Sequence, residues 1–138
     1  MTQAKTVSAR PPLVLSQTDA ERLSALALQN ETAHPATAAL LLDEIERAQI
    51  RPDSRLPADV VGMNSTVEFL DEAHGQPRTV QLVYPDEADI TEGRISIMTP
   101  VGAGLIGLKE GQAILWPDRG GETRVLRILK VGRLPALA

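Results

Sequence analysis

No cysteine occurs anywhere in the 138 residues. A disulfide framework and a thiolate nucleophile are therefore both excluded. Aromatic side chains are almost as scarce: Phe69, Tyr84 and Trp116 are the whole set. A stacking platform for single-stranded nucleic acid needs several exposed rings, so that function is disfavoured. Histidine is limited to His34 and His74. With no cysteine and no HExxH spacing, a zinc site is not expected, and both histidines read as solvated loop residues. No apolar run approaches the ~20 residues needed to span a bilayer. The opening MTQAKTVSARPPLVL has Lys5 and Arg10, but its apolar run Leu13-Val14-Leu15 is far too short for a secretory signal. A soluble cytoplasmic protein is the expectation. The formal net charge is -4, so bulk charge does not draw this chain to phosphate backbones.

What is present divides into a helical part and a strand part. The length suits one domain with a small appendage. Residues 1 to 12 are polar and end in Pro11-Pro12, and they are expected to be disordered or extended. Residues 16 to 49 read as two short helices. Two starts compete for the first: Thr18 with Glu21 three residues on, a capping box, or Ser16 with Asp19. Ala20, Leu23 and Ala27 share one face, with Leu26 beside them. The helix frays at Gln29-Asn30-Glu31-Thr32, and His34-Pro35 marks the turn, because the residue before a proline avoids the helical region. In the second helix Ala38, Leu41, Leu42, Ile45 and Ala48 form one apolar stripe. Asp43, Glu44, Glu46 and Arg47 are placed on the outer side, with Asp43 and Arg47 four apart as an exposed pair. About 13 residues per helix gives about 20 Å each. Two such helices bury little alone, so an antiparallel hairpin leaning on the next module is expected.

From Val60 the period changes to that of strands. Ser65 to Leu70 is β-rich, with Val67 and Phe69 on one face. Asp71 to Pro77 reads as a hairpin loop, followed by a strand from Thr79 to Tyr84. Pro85-Asp86-Glu87 opens a turn that closes near Glu92-Gly93. Ile95 and Ile97 belong to a third strand. One or two helical turns are expected around Ala103, Leu105 and Ile106. Lys109-Glu110-Gly111 turns into the strand QAILW. Pro117 to Gly121 is a further hairpin loop before a last strand through Thr123, Val125, Arg127, Leu129 and Val131. The fold class is α+β: a short N-terminal helical hairpin, then a small antiparallel β-sheet domain with one short helix.

Few side chains point to chemistry. Gly102, Gly104 and Gly107 match the letters of a GxGxxG run. The dinucleotide fingerprint, however, needs a strand before it and a long helix after it. Pro100 precedes it here and a turn follows, so these glycines read as close packing of a short helix. Asp86, Glu87 and Asp89 read as an exposed acidic turn with local aspartate capping, rather than as a metal or catalytic cluster. No Ser-His-Asp set has nucleophile-elbow context. No cofactor and no metal are expected. Binding another macromolecule is the most economical function.

Ordered motifs then carry a resemblance. Pro85-Asp86-Glu87-Ala88-Asp89, Gly93-Arg94-Ile95-Ser96, Thr99-Pro100-Val101-Gly102, Leu105-Ile106-Gly107 and Glu110-Gly111 resemble the C-terminal domain of the GreA/GreB transcript-cleavage factors. The run from Asp59 to Ser65 with Val67-Glu68-Phe69, together with Leu42 to Ala48, is similar to one branch, the regulators of nucleoside diphosphate kinase. The likeness covers about residues 16 to 132 and is densest from 60 to 111. It implies an FKBP-like domain that docks on bacterial RNA polymerase near the entrance of the secondary channel. In the cleavage factors a long coiled coil reaches the active centre, and acidic residues at its tip help hold a catalytic magnesium ion. The present helices are too short for that reach. Their turn offers Glu31 alone among Gln29, Asn30, Thr32 and His34, so cleavage stimulation is not carried over. The isomerase pockets of FKBP-like domains are lined with aromatic side chains, which this chain lacks.

The expectations are these. Residues 1–12 are a tail, 13–55 a hairpin resembling a truncated coiled coil, and 56–138 the FKBP-like domain. The polymerase-binding surface is Thr99-Pro100-Val101-Gly102 with Asp86 and Glu87, and a plain structural turn at that corner is an equal reading. The hairpin tip is Asn30, Glu31 and His34. The protein is a monomer with no sequence-specific nucleic-acid contact and no membrane association. The alternatives are a small-ligand or prolyl-isomerase-like enzyme domain, or a regulator that contacts a metabolic enzyme such as nucleoside diphosphate kinase.

Overall fold

The computed structural model describes residues 12–72, 75–117 and 123–133. His74 and most of the loop expected at Pro117 to Gly121 lie outside these. The chain enters through a strand, β1 (Val14–Ser16), and turns at once into helix α1 (Gln17–Gln29). Of the two competing starts, Ser16 is the one used: its Oγ accepts the Asp19 N–H at 3.0 Å. Ser16 is still extended (φ -73, ψ 155), as an N-cap must be. Thr18 sits inside the helix, and its N–H donates to Asp53 Oδ1 at 3.0 Å. Its hydroxyl donates to Asp53 Oδ2. A carboxylate 35 residues away thus satisfies one of the orphan donors of the first turn.

Asn30 closes α1, its N–H donating to the carbonyls of Leu26 and Ala27. Helix α2 (Pro35–Arg47) follows, with His34 as N-cap and Pro35 in the first turn. Leu23, Ala27, Ala38 and Leu41 are buried. One expectation fails here. Glu44, placed on the outer side by residue type, is only 4% exposed. Ala38, Leu41 and Glu44 follow one another at intervals of three, which carries the carboxylate onto the buried stripe. Arg47 Nη2 donates to Glu44 Oε1 at 2.6 Å, so the buried charge has a cation against it.

The hairpin is closed at its base by a contact the sequence did not announce. Strand β2 (Gln49–Arg51) pairs in parallel with β1, Val14 opposite Gln49. Val14 N–H in turn donates to Gly107 O at 3.1 Å, and Gly107 N–H to Val61 O at 2.9 Å. β1 is therefore stitched to the β-domain, and β2 is held there through β1.

That domain is a five-stranded sheet. In chain order its strands are β3 (Ser65–Asp71), β4 (Gln76–Val83), β5 (Arg94–Ser96), β6 (Ala113–Pro117) and β7 (Thr123–Arg133). In space they run β5-β4-β3-β7-β6. Strand β3 alternates strictly, with Ser65, Val67, Phe69 and Asp71 inward. The β7 register shifts between Glu68 and Phe69, which brings both Ile128 and Val131 to the core face. The sheet is antiparallel except at one edge, where β4 and β5 pair in parallel, Val83 opposite Ser96. The acidic turn expected after Tyr84 is the crossover that makes this possible, built of two 3-10 turns, Pro85–Glu87 and Ile90–Glu92. Helix α3 (Pro100–Leu105) packs on the sheet. One core runs through both parts: Leu23, Ala27, Ala38 and Leu41 belong to the same buried cluster as Val67, Phe69, Leu82, Leu105 and Ile128.

The Thr18 contacts make a prediction about pH. They hold the Asp53 carboxyl below its usual value, the side-chain bond from Thr18 contributing most. A carboxyl whose pKa is depressed by folding stabilises the fold above its unfolded pKa. That contribution is lost as the pH falls through the folded value. Asp53→Ala is therefore expected to lower the melting temperature at pH 7 and to lower it less at pH 2. Equal losses at both pH values would show that the carboxylate charge is not what acts.

Candidate functional site

The acidic turn is rigid for a local reason. Asp89 accepts the Thr91 N–H at 3.1 Å and the Thr91 hydroxyl at 2.6 Å. The hydroxyl is the main cause holding the Asp89 carboxyl below its ordinary value. Gly93 closes the turn in the left-handed region at φ 74. Arg94 Nε donates to Glu87 O at 3.1 Å, and its guanidinium lies 3.9 Å from the Asp89 carboxylate. Asp86 and Glu87 stay exposed. They line a shallow depression of about 480 Å³ with Asn64, Gln81, Asp89 and Arg94. The local aspartate cap expected here is present.

The Thr99-Pro100-Val101-Gly102 corner is the start of α3. Thr99 is the N-cap, its Oγ1 accepting the Gly102 N–H at 3.1 Å and donating to Ser96 O at 2.7 Å. Pro100 fills the first helical position, where no N–H is needed. Gly102 is buried, and a Cβ built there would lie 2.2 Å from Ser96 O. Thr99 and Gly102 thus shape the corner through backbone contacts; Gly102 is buried, and Thr99, Pro100 and Val101 are partly exposed. The acidic turn and the corner leave the same end of the parallel pair, after Val83 and Ser96. Gly104 is buried in α3 with Gly102, and Gly107 has φ +81, so the GxGxxG letters describe close packing and a turn. Among the described residues, no group of three or more His, Asp or Glu side chains is placed to hold a metal ion.

The hairpin tip lies one helix length, about 20 Å, from the stitched base. Asn30 and His34 are used by the turn itself: His34 N–H donates to Asn30 O at 2.8 Å, and Asn30 Nδ2 to Leu26 O at 2.8 Å. Glu31 is exposed. Sequence reading placed it alone, but it shares a depression with Asp43 and Glu46 of α2. The available signal was the spacing of Pro35, Ala39, Leu42, Asp43 and Glu46, which puts all five on one flank.

The sequence also gave no sign of the junction between the two parts. Asp19 Oδ2 accepts the Met63 N–H at 3.0 Å across 44 residues. Gly62 lies against it, its N–H held by Ser65 Oγ at 2.9 Å. Tyr84 sits nearby, its hydroxyl pushed above its ordinary pKa chiefly by burial and further by the Asp19 charge.

Known proteins share this arrangement. Residues 56–133 match the family model described as transcription elongation factor, GreA/GreB, C-term, and residues 11–50 match that described as Rnk N-terminus. A regulator of nucleoside diphosphate kinase from Escherichia coli K12 is 37% identical over 129 residues, covering 94% of this chain and 95% of that protein. The transcription elongation factor GreA of Azorhizobium caulinodans is 42% identical over 74 residues, covering 54% of this chain and 47% of that factor. The match therefore spans about half of that relative's length. The solved structure of a prokaryotic GreA/GreB elongation factor from Nitrosomonas europaea aligns with a TM-score of 0.69 at 38% identity. It covers 88% of this chain and 98% of that one. Fold and sequence together define a regulator of transcription-factor type. The chain belongs to the GreA/GreB family, and its likeness to the regulators of nucleoside diphosphate kinase runs nearly end to end.

Proposed function

We propose that this protein binds bacterial RNA polymerase near the secondary-channel entrance through residues 56–138, and competes there with transcript-cleavage factors without stimulating cleavage itself. The observation that carries the reading is the length of the hairpin. Each of its helices has 13 residues, about 20 Å of helix. The family resemblance supplies the docking domain, and the short hairpin leaves that domain without a long arm to reach the catalytic centre. On this reading the protein is a non-enzymatic, cytoplasmic, monomeric regulator, and residues 13–55 act at the channel mouth.

The half-exposed Pro100 and Val101 offer a preformed apolar contact on a capped helix, at low entropic cost. Pro100→Glu is expected to weaken polymerase binding about tenfold, the loss of one good interface anchor, with the melting temperature little changed. Purified polymerase core and this chain, mixed with and without a GreA competitor, test the reading. Saturable binding displaced by GreA, with transcript cleavage left at its intrinsic rate, is the expected result. Absence of binding at micromolar polymerase overturns it.

A second reading rests on the relative that is 37% identical over 94% of the chain, whose name is regulator of nucleoside diphosphate kinase. That reading has the chain contact such a kinase, and the kinase as bait in the same binding experiment separates the two.

A further inference from the structure

The flank of the hairpin has a shape and a charge that the polymerase reading does not use. Pro35, Ala39 and Leu42 form an apolar floor along α2, and Glu31, Asp43 and Glu46 stand around it. The depression is open to solvent and measures about 460 Å³. The five α2 residues recur at i, i+4, i+7, i+8 and i+11, a continuous strip about 16 Å long by the helical rise. It lies beside the buried stripe of Ala38, Leu41 and Glu44, so packing of the hairpin leaves Pro35, Ala39, Asp43 and Glu46 exposed and covers Leu42 in part. The charge is concentrated in the same segment: between Gln17 and Arg47 six carboxylates stand against two arginines, a surplus as large as the -4 of the whole chain.

The combination selects its occupant. Carboxylates repel phosphate, which excludes nucleic acid. Among the described residues no acidic group has metal-holding geometry. An apolar floor under a ring of carboxylates is complementary to a long aliphatic stem ending in a cation, the form of arginine and lysine side chains. We propose that this groove seats an arginine- or lysine-bearing segment of a protein partner. The methylene stem lies on Ala39 and Leu42, and the charged head among Glu31, Asp43 and Glu46. Charge-assisted hydrogen bonds to more than one carboxylate favour arginine over lysine. The site is separate from the Thr99 to Gly102 corner, and the inference stands whether or not polymerase is the partner.

The probe is acetyl-Arg-Leu-Arg-Leu-amide, titrated into the full ¹⁵N-labelled chain at low salt. Its control is the same peptide with citrulline in place of arginine, which keeps the stem and removes the charge. The arginine peptide is expected to shift the amides of residues 31–46 saturably, and the citrulline peptide to leave them in place. A Glu31→Gln/Glu46→Gln variant is expected to bind about tenfold more weakly, the loss of two charge-assisted contacts. Both residues are exposed, and the amide spectrum of the variant itself reports whether the fold is kept. Three results each overturn the inference: shifts spread equally over the 86–92 turn, equal response to the citrulline peptide, or unchanged affinity in the double variant.

Discussion

Replacing Gly102 with alanine is expected to lower the melting temperature by about 10 °C, a loss of about 3 kcal/mol. The cause is one atom. An added Cβ would lie 2.2 Å from Ser96 O and 3.0 Å from Ile97 Cα, both backbone atoms that no rotamer change can move away. Ser96 is also one of the three residues through which β5 pairs with β4, and its carbonyl accepts the Thr99 hydroxyl. The strain would therefore spread into the edge strand and the helix cap together. Thermal unfolding followed by circular dichroism measures it. A fall of less than 2 °C would show that α3 can lift off the sheet at little cost. The same variant guards the interpretation of binding experiments. Lost polymerase binding in Gly102→Ala would report a damaged corner, whereas lost binding in Pro100→Glu would report a lost contact.

Leu41→Ala is expected to cost about 3 kcal/mol as well, because the side chain has 0% exposure and leaves a cavity between α2 and its neighbours. Its interest lies in what unfolds. Leu41 belongs to the one core that also contains Phe69 and Ile128 of the sheet. The hairpin is tied to that sheet by Asp19, by the β1-β2 pair and by Gly107. Loss of Leu41 should therefore lower the midpoint of the whole molecule in a single transition. Hydrogen exchange is the sharper measurement. Amides of β3 should lose protection in parallel with those of α2. Unchanged protection in β3 would show the hairpin opening alone.

The sheet was legible because its strands carry their own signals. Val67 and Phe69 alternate, and Gly75 takes a positive φ ahead of β4; the alternation expected from Thr123 to Val131 fails, because the bulge makes Leu126, Ile128 and Val131 the core face and leaves Leu129 exposed. The helical turns expected around Ala103, Leu105 and Ile106 are present, but α3 starts earlier, at Pro100, and ends at Leu105. What escaped is non-local. Three-residue strands separated by more than thirty positions, Val14–Ser16 and Gln49–Arg51, have no period to read. The choice between Ser16 and Thr18 as cap was decided by Asp53, a residue no local pattern connects to either. Glu44 escapes because its charge argues for the outer side, while its spacing from Ala38 and Leu41 puts it on the buried stripe. Of the candidate surface, sequence located the corner and the acidic turn. It did not show that Thr99 and Gly102 serve the fold through backbone contacts, or that Asp43 and Glu46 join Glu31.

The paired strands at the foot of the hairpin have a consequence for how such chains diversify. Val14–Ser16 and Gln49–Arg51 run side by side, so the hairpin begins and ends at one place beside the β-domain. Everything between those strands is a closed excursion whose two ends meet. Whole helical turns added or removed symmetrically about Asn30 and His34 would alter how far the excursion extends and leave the stitched base intact. Reach is thus a parameter that insertion and deletion can vary independently of the sheet, and a longer arm could be grafted onto this foot as a cassette.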